Sequence, residues 1–459
     1  MICNTNLTVW QVVDKVYQEL GDRGYVGAYG IDLRPAMMVG DPQLVKRILV
    51  YDSHYFHQHW TGDLSEGEQR IDMLNSSHTK AIRSILKPSF TWLSMRRMFP
   101  AVEEKTDVLI KHLMSLYQQQ KPFVSMKACF SRYVIDAVAS CAFGIKTNAI
   151  ENEDDEICKK AAQLMESNST QIMMKALAQL TLPNIVLSAL AKRFTTPVIC
   201  YFHDLINETL KKRQESGERR GDFLDMMLER EEQMYHDGKT QDPVEDIAQT
   251  SLFLAAGCVP TSNTLTFAAF LLAAHPHEQQ HLRQEVLNIR QEHGCLTYQT
   301  LMHAPYLDAV VSETLRLHPP AVLTERVCSN DYYLPGTGVV LRKGHLVTIP
   351  IWSLQHDSRY WRRPHAFDPD RFLQQHRRDI TSGTYLPFGL GPRNCIGKWF
   401  ALLVVKLALA KMVESFELRP DPRQHQLQYS MLAMSPRDDV RVFLSPFNPQ
   451  DIKPAEDRL

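Results

Sequence analysis

The stretch Phe388-Gly-Leu-Gly391-Pro-Arg393-Asn-Cys395-Ile-Gly397 constrains this chain more than any other. It has the form Phe-x-x-Gly-x-Arg-x-Cys-x-Gly and runs straight into an apolar helical segment from Trp399 to Met412. Five fixed residues at about 5% frequency each would match by chance in roughly one chain in ten thousand of this length. Gly391 and Gly397 allow backbone conformations and a close approach that a side chain would obstruct. A cysteine at a helix start has its thiolate favoured by the helix dipole and by unpaired N–H groups.

A thiolate so placed suits the fifth position of a haem iron, onto which it pushes electron density in a way that favours O–O cleavage. Arg393 stands two residues before Cys395, where it can reach an anionic group such as a haem propionate. The competing reading is a buried structural cysteine in a Gly-containing turn, which the pattern around Cys395 disfavours. Bulk properties are those of an ordinary globular chain with enough apolar residues for a large core. The chain has 459 residues, is 44% hydrophobic and 22% charged, and carries a formal net charge of -1, which gives no case for nucleic-acid binding. Nine cysteines lie scattered without a C-x-x-C pair, which argues against a disulfide framework and a structural zinc site and for a reducing, cytosol-facing setting. No run approaches the roughly 20 apolar residues that span a bilayer. The first residues lack the basic start and apolar stretch of a signal peptide.

Most of the chain has helical spacing. Helices are expected over 9–21, 42–51 with Asp41-Pro42 as its start, 78–87, 97–118, 125–142, 155–180, 243–275, 277–293 and up to His318-Pro319-Pro320. Tyr25 to Val39 suggests a hairpin, and strands are expected at 323–328 and 338–350. Residues 52–78 form a long irregular loop, a functional feature in most compact chains. The acidic run from Glu151 to Glu156 and the basic stretch from Lys211 to Gly221 read as surface. Without repeats or composition shifts, residues 1–459 are expected to make one interwoven domain, mainly α with small β-sheets.

Glu313-Thr-Leu-Arg316 puts a carboxylate and a guanidinium on one helix face, upstream of Phe367-Asp-Pro369-Asp-Arg371-Phe372, whose arginine can complete a three-member network. These elements, in this order and ending in the Cys395 loop, resemble the cytochrome P-450 superfamily over nearly the whole chain. The resemblance implies haem b ligated by Cys395, with Phe388 and Gly391 in the haem-binding loop. It further implies propionate contacts from Arg83, Arg326 and Arg393, and a Glu313–Arg316–Arg371 lock. Asp222 to Met227 and Trp352 to Trp361 also look like family segments. Two departures stand out. Thr79 occupies the position of a family tryptophan that bonds a propionate. Ala256-Gly-Cys-Val259-Pro260-Thr261 stands where the family reads Ala-Gly-x-acid-Thr-Thr. Val259 cannot relay a proton, and Pro260 removes a helical hydrogen bond and favours a kink that can hold water. Thr261 or Ser262 is the expected substitute for proton delivery; packing alone is the competing role of Thr261.

The expected function is a haem-thiolate monooxygenase. It would insert one atom of dioxygen into a lipophilic substrate with electrons from an NADPH-cytochrome reductase-type flavoprotein. A peroxide isomerase or dehydratase ranks second, and a non-catalytic lipid-binding paralogue third. The pocket is expected from loop 54–76, Leu252, Phe253 and Ala256, Ala321 to Thr324, and Met431 to Met434. His54, His57 and His59 lack tidy ligand spacing and are read as loop residues, and Met226 and Met227 as packing. Arg96, Arg97 and Lys398 are solvated charge or, by resemblance, a docking face for an acidic redox partner. The resemblance places the chain on the cytosolic face of the endoplasmic reticulum membrane. The N-terminal anchor and Pro-rich hinge of anchored members are read as absent. Leu180 to Leu190 is apolar enough for a peripheral bilayer contact, and core packing explains it as well.

Overall fold

A computed structural model of the chain describes residues 7–30, 35–59, 83, 87–145, 147–152, 154–161, 163, 201–202, 204–219, 222, 224–225, 229, 243–424, 427–430 and 434–447, with side chains of 142–143 and 243–256 set aside. The 155–180 helix, Thr79, loop 60–76, Leu180 to Leu190, Met226 and Met227 fall mostly or wholly outside these residues.

The chain enters through helix α1 (Val9–Gln18) and the hairpin β1 (Tyr25–Tyr29) and β2 (Pro35–Val39), whose antiparallel register pairs Tyr25 with Val39. Helix α2 (Pro42–Lys46) starts as the Asp41-Pro42 pair predicts. The Asp41 side chain accepts the Leu44 N–H at 2.8 Å, and Pro42 at the first turn forfeits no hydrogen bond. A turn of π-helix, Arg47–Tyr51, continues it. Helix α3 (Trp92–Gln118) begins earlier than expected because Thr91 caps it through the Ser94 N–H at 3.3 Å. Strand β3 (Phe123–Ser125) leads into α4 (Met126–Phe143).

The long helix α5 (Pro243–Ala274) runs through Pro260 without ending. Its Gly257–Ala274 part is the one segment among the described residues long and apolar enough to cross a membrane. It is instead mostly buried as the core helix, packed chiefly against α4 and also against α10 (Lys398–Ser415). Between them come α6 (Pro276–His293), α7 (Tyr298–Met302), α8 (Pro305–Leu317) and the short α9 (Ile351–Gln355). Every residue of α10 from Leu402 to Val413 is buried, which explains its lack of an amphipathic pattern. Its two buried lysines are paired: Lys406 reaches Asp308 at 2.9 Å, and Lys411 reaches Glu103 at 3.0 Å and Asp107 at 2.5 Å.

Among the described residues, three small sheets complete a mainly α architecture. Strands β1, β2, β7 (Leu346–Ile349) and β4 (Thr324–Val327) form the first in that order, β2 and β7 being parallel. Strand β3 pairs with β9 (Arg441–Pro446), which pairs with β8 (Phe416–Pro420). Strands β5 (Tyr332–Leu334) and β6 (Val339–Leu341) make a hairpin. The first sheet joins residues more than three hundred positions apart in sequence. The N-terminal segment is thereby interwoven with the C-terminal half.

Candidate active site

The Cys395 loop is set by its glycines and by the start of α10. Gly391 sits at φ +75°, and a Cβ there would lie 1.9 Å from the Leu49 carbonyl oxygen on the π-turn, so no side chain fits. Gly397 behaves differently from the sequence expectation: its φ is -81° and a Cβ would approach nothing nearer than 3.9 Å. Gly397 lines a cavity, so a side chain there would take up cavity space rather than strain the loop. The Cys395 N–H donates to the Phe388 carbonyl at 2.8 Å, and Asn394 N–H donates to Gly391 at 3.1 Å. These bonds hold the thiol open to the cavity although protein surrounds it. Burial pushes the thiol up, while the Gly397 amide, Arg83 and Lys398 oppose that rise.

The cavity encloses about 480 Å³. Helix α5 covers one side with Gly257, Pro260, Thr261 and Thr264, and the Phe388–Gly397 loop with Phe400 forms the opposite side. Apolar residues such as Val138, Val311, Leu315 and Leu323 close the remainder. Of the described cysteines only Cys395 lines it.

The polar wall is cationic. Arg326 is 2% exposed, and its described partners are neutral: Thr324 Oγ1 at 2.7 Å, the Glu325 carbonyl at 2.8 Å and His59 Nδ1 at 3.1 Å. Burial, then the nearby Arg393, pulls its guanidinium down to about 10. Arg393 lines the cavity too, and Arg83 donates to the Asn394 carbonyl at 2.7 Å, with burial depressing it and Cys395 opposing. A buried cation among cations, bonded to neutral groups, wants an anion. A thiol and the guanidiniums of Arg326 and Arg393 on one apolar cavity, with Arg83 bonded to the Asn394 carbonyl beside the thiol, form a donor set that fits haem, whose iron would take a thiolate and whose carboxylates would take arginines.

The predicted network assembles around Glu313. Arg316 and Glu313 are fully buried and paired two-fold, Nε to Oε2 at 2.7 Å and Nη2 to Oε1 at 2.8 Å. Arg371 Nε reaches Glu313 Oε1 at 3.4 Å. Arg316 also donates to the carbonyls of Gln355, Pro364 and Ala366. Burial raises the Glu313 carboxyl above its ordinary range, against the pull of Arg316. Gln355 is the member that sequence reasoning missed. Its amide donates to the Leu315 and Arg316 carbonyls at 3.0 and 2.9 Å and accepts the Leu386 N–H at 2.8 Å, tying α8 to the entry of the Cys395 loop. Nothing local in its sequence signals this.

On α5 the hydroxyls divide. Ser262 donates to the Val259 carbonyl at 3.1 Å and Thr264 to the Pro260 carbonyl at 2.7 Å. Thr261 is buried on the cavity wall, and among the described residues its hydroxyl has no hydrogen-bond partner. Ser262, offered as an equal candidate for proton delivery, is occupied by the backbone and does not line the cavity. Other pocket expectations divide similarly. Ala321, Leu323 and Thr324 line the cavity, whereas Val322 and Met434 pack with Phe267 in a separate cluster behind it. Leu252, Phe253, Ala256, Met431, Leu432 and Ala433 lie outside the described side chains. From loop 54–76, expected at the pocket, the described His59 lines the cavity; His54 and His57 do not. No group of three or more metal-ligating side chains gathers among the described residues.

A family model described as cytochrome P-450 matches residues 5–440. Mouse (Mus musculus) cytochrome P-450 3A13 is 33% identical over 392 residues, covering 84% of this chain and 77% of its own. Rat (Rattus norvegicus) cytochrome P-450 3A9 shows the same identity and coverage, and human (Homo sapiens) cytochrome P-450 3A7 is 32% identical over 394 residues with the same coverage. With the family model spanning nearly all of the sequence and relatives of this identity beside it, the chain belongs to the cytochrome P-450 family, the haem-thiolate monooxygenases.

Proposed function

We propose that Cys395 is the thiolate ligand of the haem, that Arg83, Arg326 and Arg393 hold its carboxylates, and that the substrate is a lipophilic molecule bound against α5. The observation that carries this is the thiol meeting Arg326 and Arg393 on one predominantly apolar cavity, with Arg83 bonded to the residue before the thiol. Haem, when bound, supplies the activation of dioxygen; the chain's residues hold it, exclude water and steer protons. Apolar walls from Val138, Val311, Leu315 and Leu323 favour fatty, steroidal or other hydrophobic ligands and select against charged ones. Electrons come from an NADPH-dependent flavoprotein reductase. Exposed Arg96 and Arg97, together with Lys398 that follows the Cys395 loop, suit an acidic redox partner. The relatives' resemblance supports a place at the endoplasmic reticulum membrane.

Thr261 is the proton-delivering hydroxyl in this reading. Its hydroxyl is the one near Pro260 that no backbone carbonyl engages. Thr261→Val should reduce the fraction of consumed dioxygen that appears in product by about tenfold, a loss of one positioned proton donor. Unchanged coupling would return Thr261 to a packing role.

Reductase, NADPH and a panel of lipophilic compounds test the whole reading against organic hydroperoxide alone. Product should appear in the first arm. Product only from the hydroperoxide would favour rearrangement of peroxides, the reading that Val259 and Pro260 at the acid and alcohol positions support.

A further inference from the structure

We infer that His59 donates a hydrogen bond to a carboxylate of the bound haem, oriented for that task by Arg326. The inference rests on the assignment of the cavity as the haem site. Its basis begins with backbone register. Gln58 forms an antiparallel bridge with Val327, and the Val327 N–H donates to the Gln58 carbonyl at 2.9 Å. In an antiparallel pair, the residue after one partner faces the residue before the other, so His59 comes opposite Arg326. The approach is pinned upstream, where Ser329 donates its N–H at 2.9 Å and its hydroxyl at 3.0 Å to the Tyr55 carbonyl.

The contact between the two side chains fixes the tautomer. Arginine carries only donors, so Nη1 at 3.1 Å from His59 Nδ1 requires a lone pair on that nitrogen. The neutral ring then carries its proton on Nε2, and this ring lines the cavity. The charged groups acting on it are Arg326, Arg393 and Arg83, all cations. Burial and these charges hold the imidazole down to about 3, so it stays neutral across the physiological range. A second proton is thus excluded, and one N–H donor remains beside Arg326, a buried guanidinium whose partners are neutral. A carboxylate accepting from arginine and from a neutral N–H is satisfied on more of its lone pairs, with a charge-assisted bond added. His59 is therefore a cofactor-binding residue outside the arginine set.

The test uses the haem-loaded protein and the variants His59→Leu and His59→Gln. Glutamine can accept from Arg326 through Oε1 and donate through Nε2; leucine can do neither. Haem loss is followed by transfer to an excess of haem-free globin, with the reduction potential and the reduced carbon-monoxide spectrum measured in parallel. His59→Leu should lose haem about tenfold faster, as expected for one charge-assisted hydrogen bond, and glutamine should stay within about threefold of the parent. The potential of the leucine variant should move negative, because a carboxylate with one donor fewer keeps more charge near the iron. His59→Phe, which retains a ring without either nitrogen, should behave like leucine and covers a folding failure of that variant. Unchanged haem loss in leucine and phenylalanine, or equal loss in glutamine and leucine, overturns the inference. So does a change confined to substrate affinity, which would give the ring to the substrate. A thiolate-type spectrum retained in all variants separates these outcomes from failure of the Cys395 assignment. Its absence from the unsubstituted protein would remove both.

Discussion

Cys395→Ser should yield a protein that folds, loses the thiolate-type absorption of its reduced carbon-monoxide adduct, and turns over at least about a thousandfold more slowly, the equivalent of some 4 kcal/mol in the barrier. Folding should survive because the loop's shape does not depend on sulfur. The Cys395 contribution to the loop is its backbone N–H on the Phe388 carbonyl, and the tight contact is that of Gly391 on Leu49. The ligand should not survive, since a serine hydroxyl ionises far above the thiol and is a harder, weaker donor to iron. No other described cysteine can substitute. Cys141, Cys258 and Cys328 are buried away from the cavity, and burial pushes the Cys141 thiol up to about 12 and the Cys328 thiol up to about 11. Cys395 is also raised, but Arg83, Lys398 and the Gly397 amide pull against burial there. Far-UV circular dichroism, the carbon-monoxide spectrum and product formation read the three outcomes separately. A serine variant that kept both absorption and turnover would leave the haem assignment without its ligand.

What the sequence disclosed, and what it withheld, divides by the range of the interactions. Asp41-Pro42 is a helix start whatever surrounds it, because the cap is made within three residues. The Cys395 stretch is legible for the same reason: its turn, its amides and its glycines are local, apart from the reason for Gly391, which is the Leu49 carbonyl far away in sequence. Glu313 and Arg316 are a local pair, and Arg371 was reached only through order and resemblance. Gln355 was invisible, and His59 was expected only as part of the pocket loop 54–76. Gln355 works through the Leu315, Arg316 and Leu386 backbone, and His59 through a bridge that pairs positions 58 and 327. Neither has neighbours in sequence that announce those partners. The same limit hid β8 and β9, since β9 lies between β3 and β8 and pairs with a strand more than three hundred positions away in sequence. It also misplaced Met434, whose apolar side chain serves equally as cavity lining or as packing against Phe267 and Val322. Hydrophobicity says that such a residue is inside; it does not say which inside.

Arg316→Met should destabilise the protein by about 3–5 kcal/mol, the cost of leaving one member of a buried pair without its partner. Arg316 makes two bonds to Glu313 and three to the carbonyls of Gln355, Pro364 and Ala366, all in buried or part-buried surroundings. Lysine should rescue little, since a single ammonium cannot reproduce a planar fork that spans both carboxylate oxygens. The loss should carry a pH signature. In the parent, burial already holds the Glu313 carboxyl above its ordinary range although Arg316 opposes it. Removing the guanidinium leaves Arg371, at 3.4 Å, as the remaining described cation on that carboxylate, and the carboxyl should rise further. The folded variant then holds a proton at pH values where the unfolded chain, with an ordinary glutamate near 4.3, has released it. Stability of such a state falls as pH rises above the unfolded value. The deficit of the variant relative to the parent should therefore be largest near pH 7 and shrink toward pH 5, as read from paired urea midpoints. Adding Glu313→Gln should recover the electrostatic part and abolish this pH dependence, while the three carbonyls still lack their donor. Because Gln355 links the Arg316 carbonyl to Leu386 N–H, the single variant should also lose thiolate-type absorption at lower urea than it loses helix. A deficit that does not change with pH would mean that packing around Arg316, rather than the charge it neutralises, holds this part of the fold.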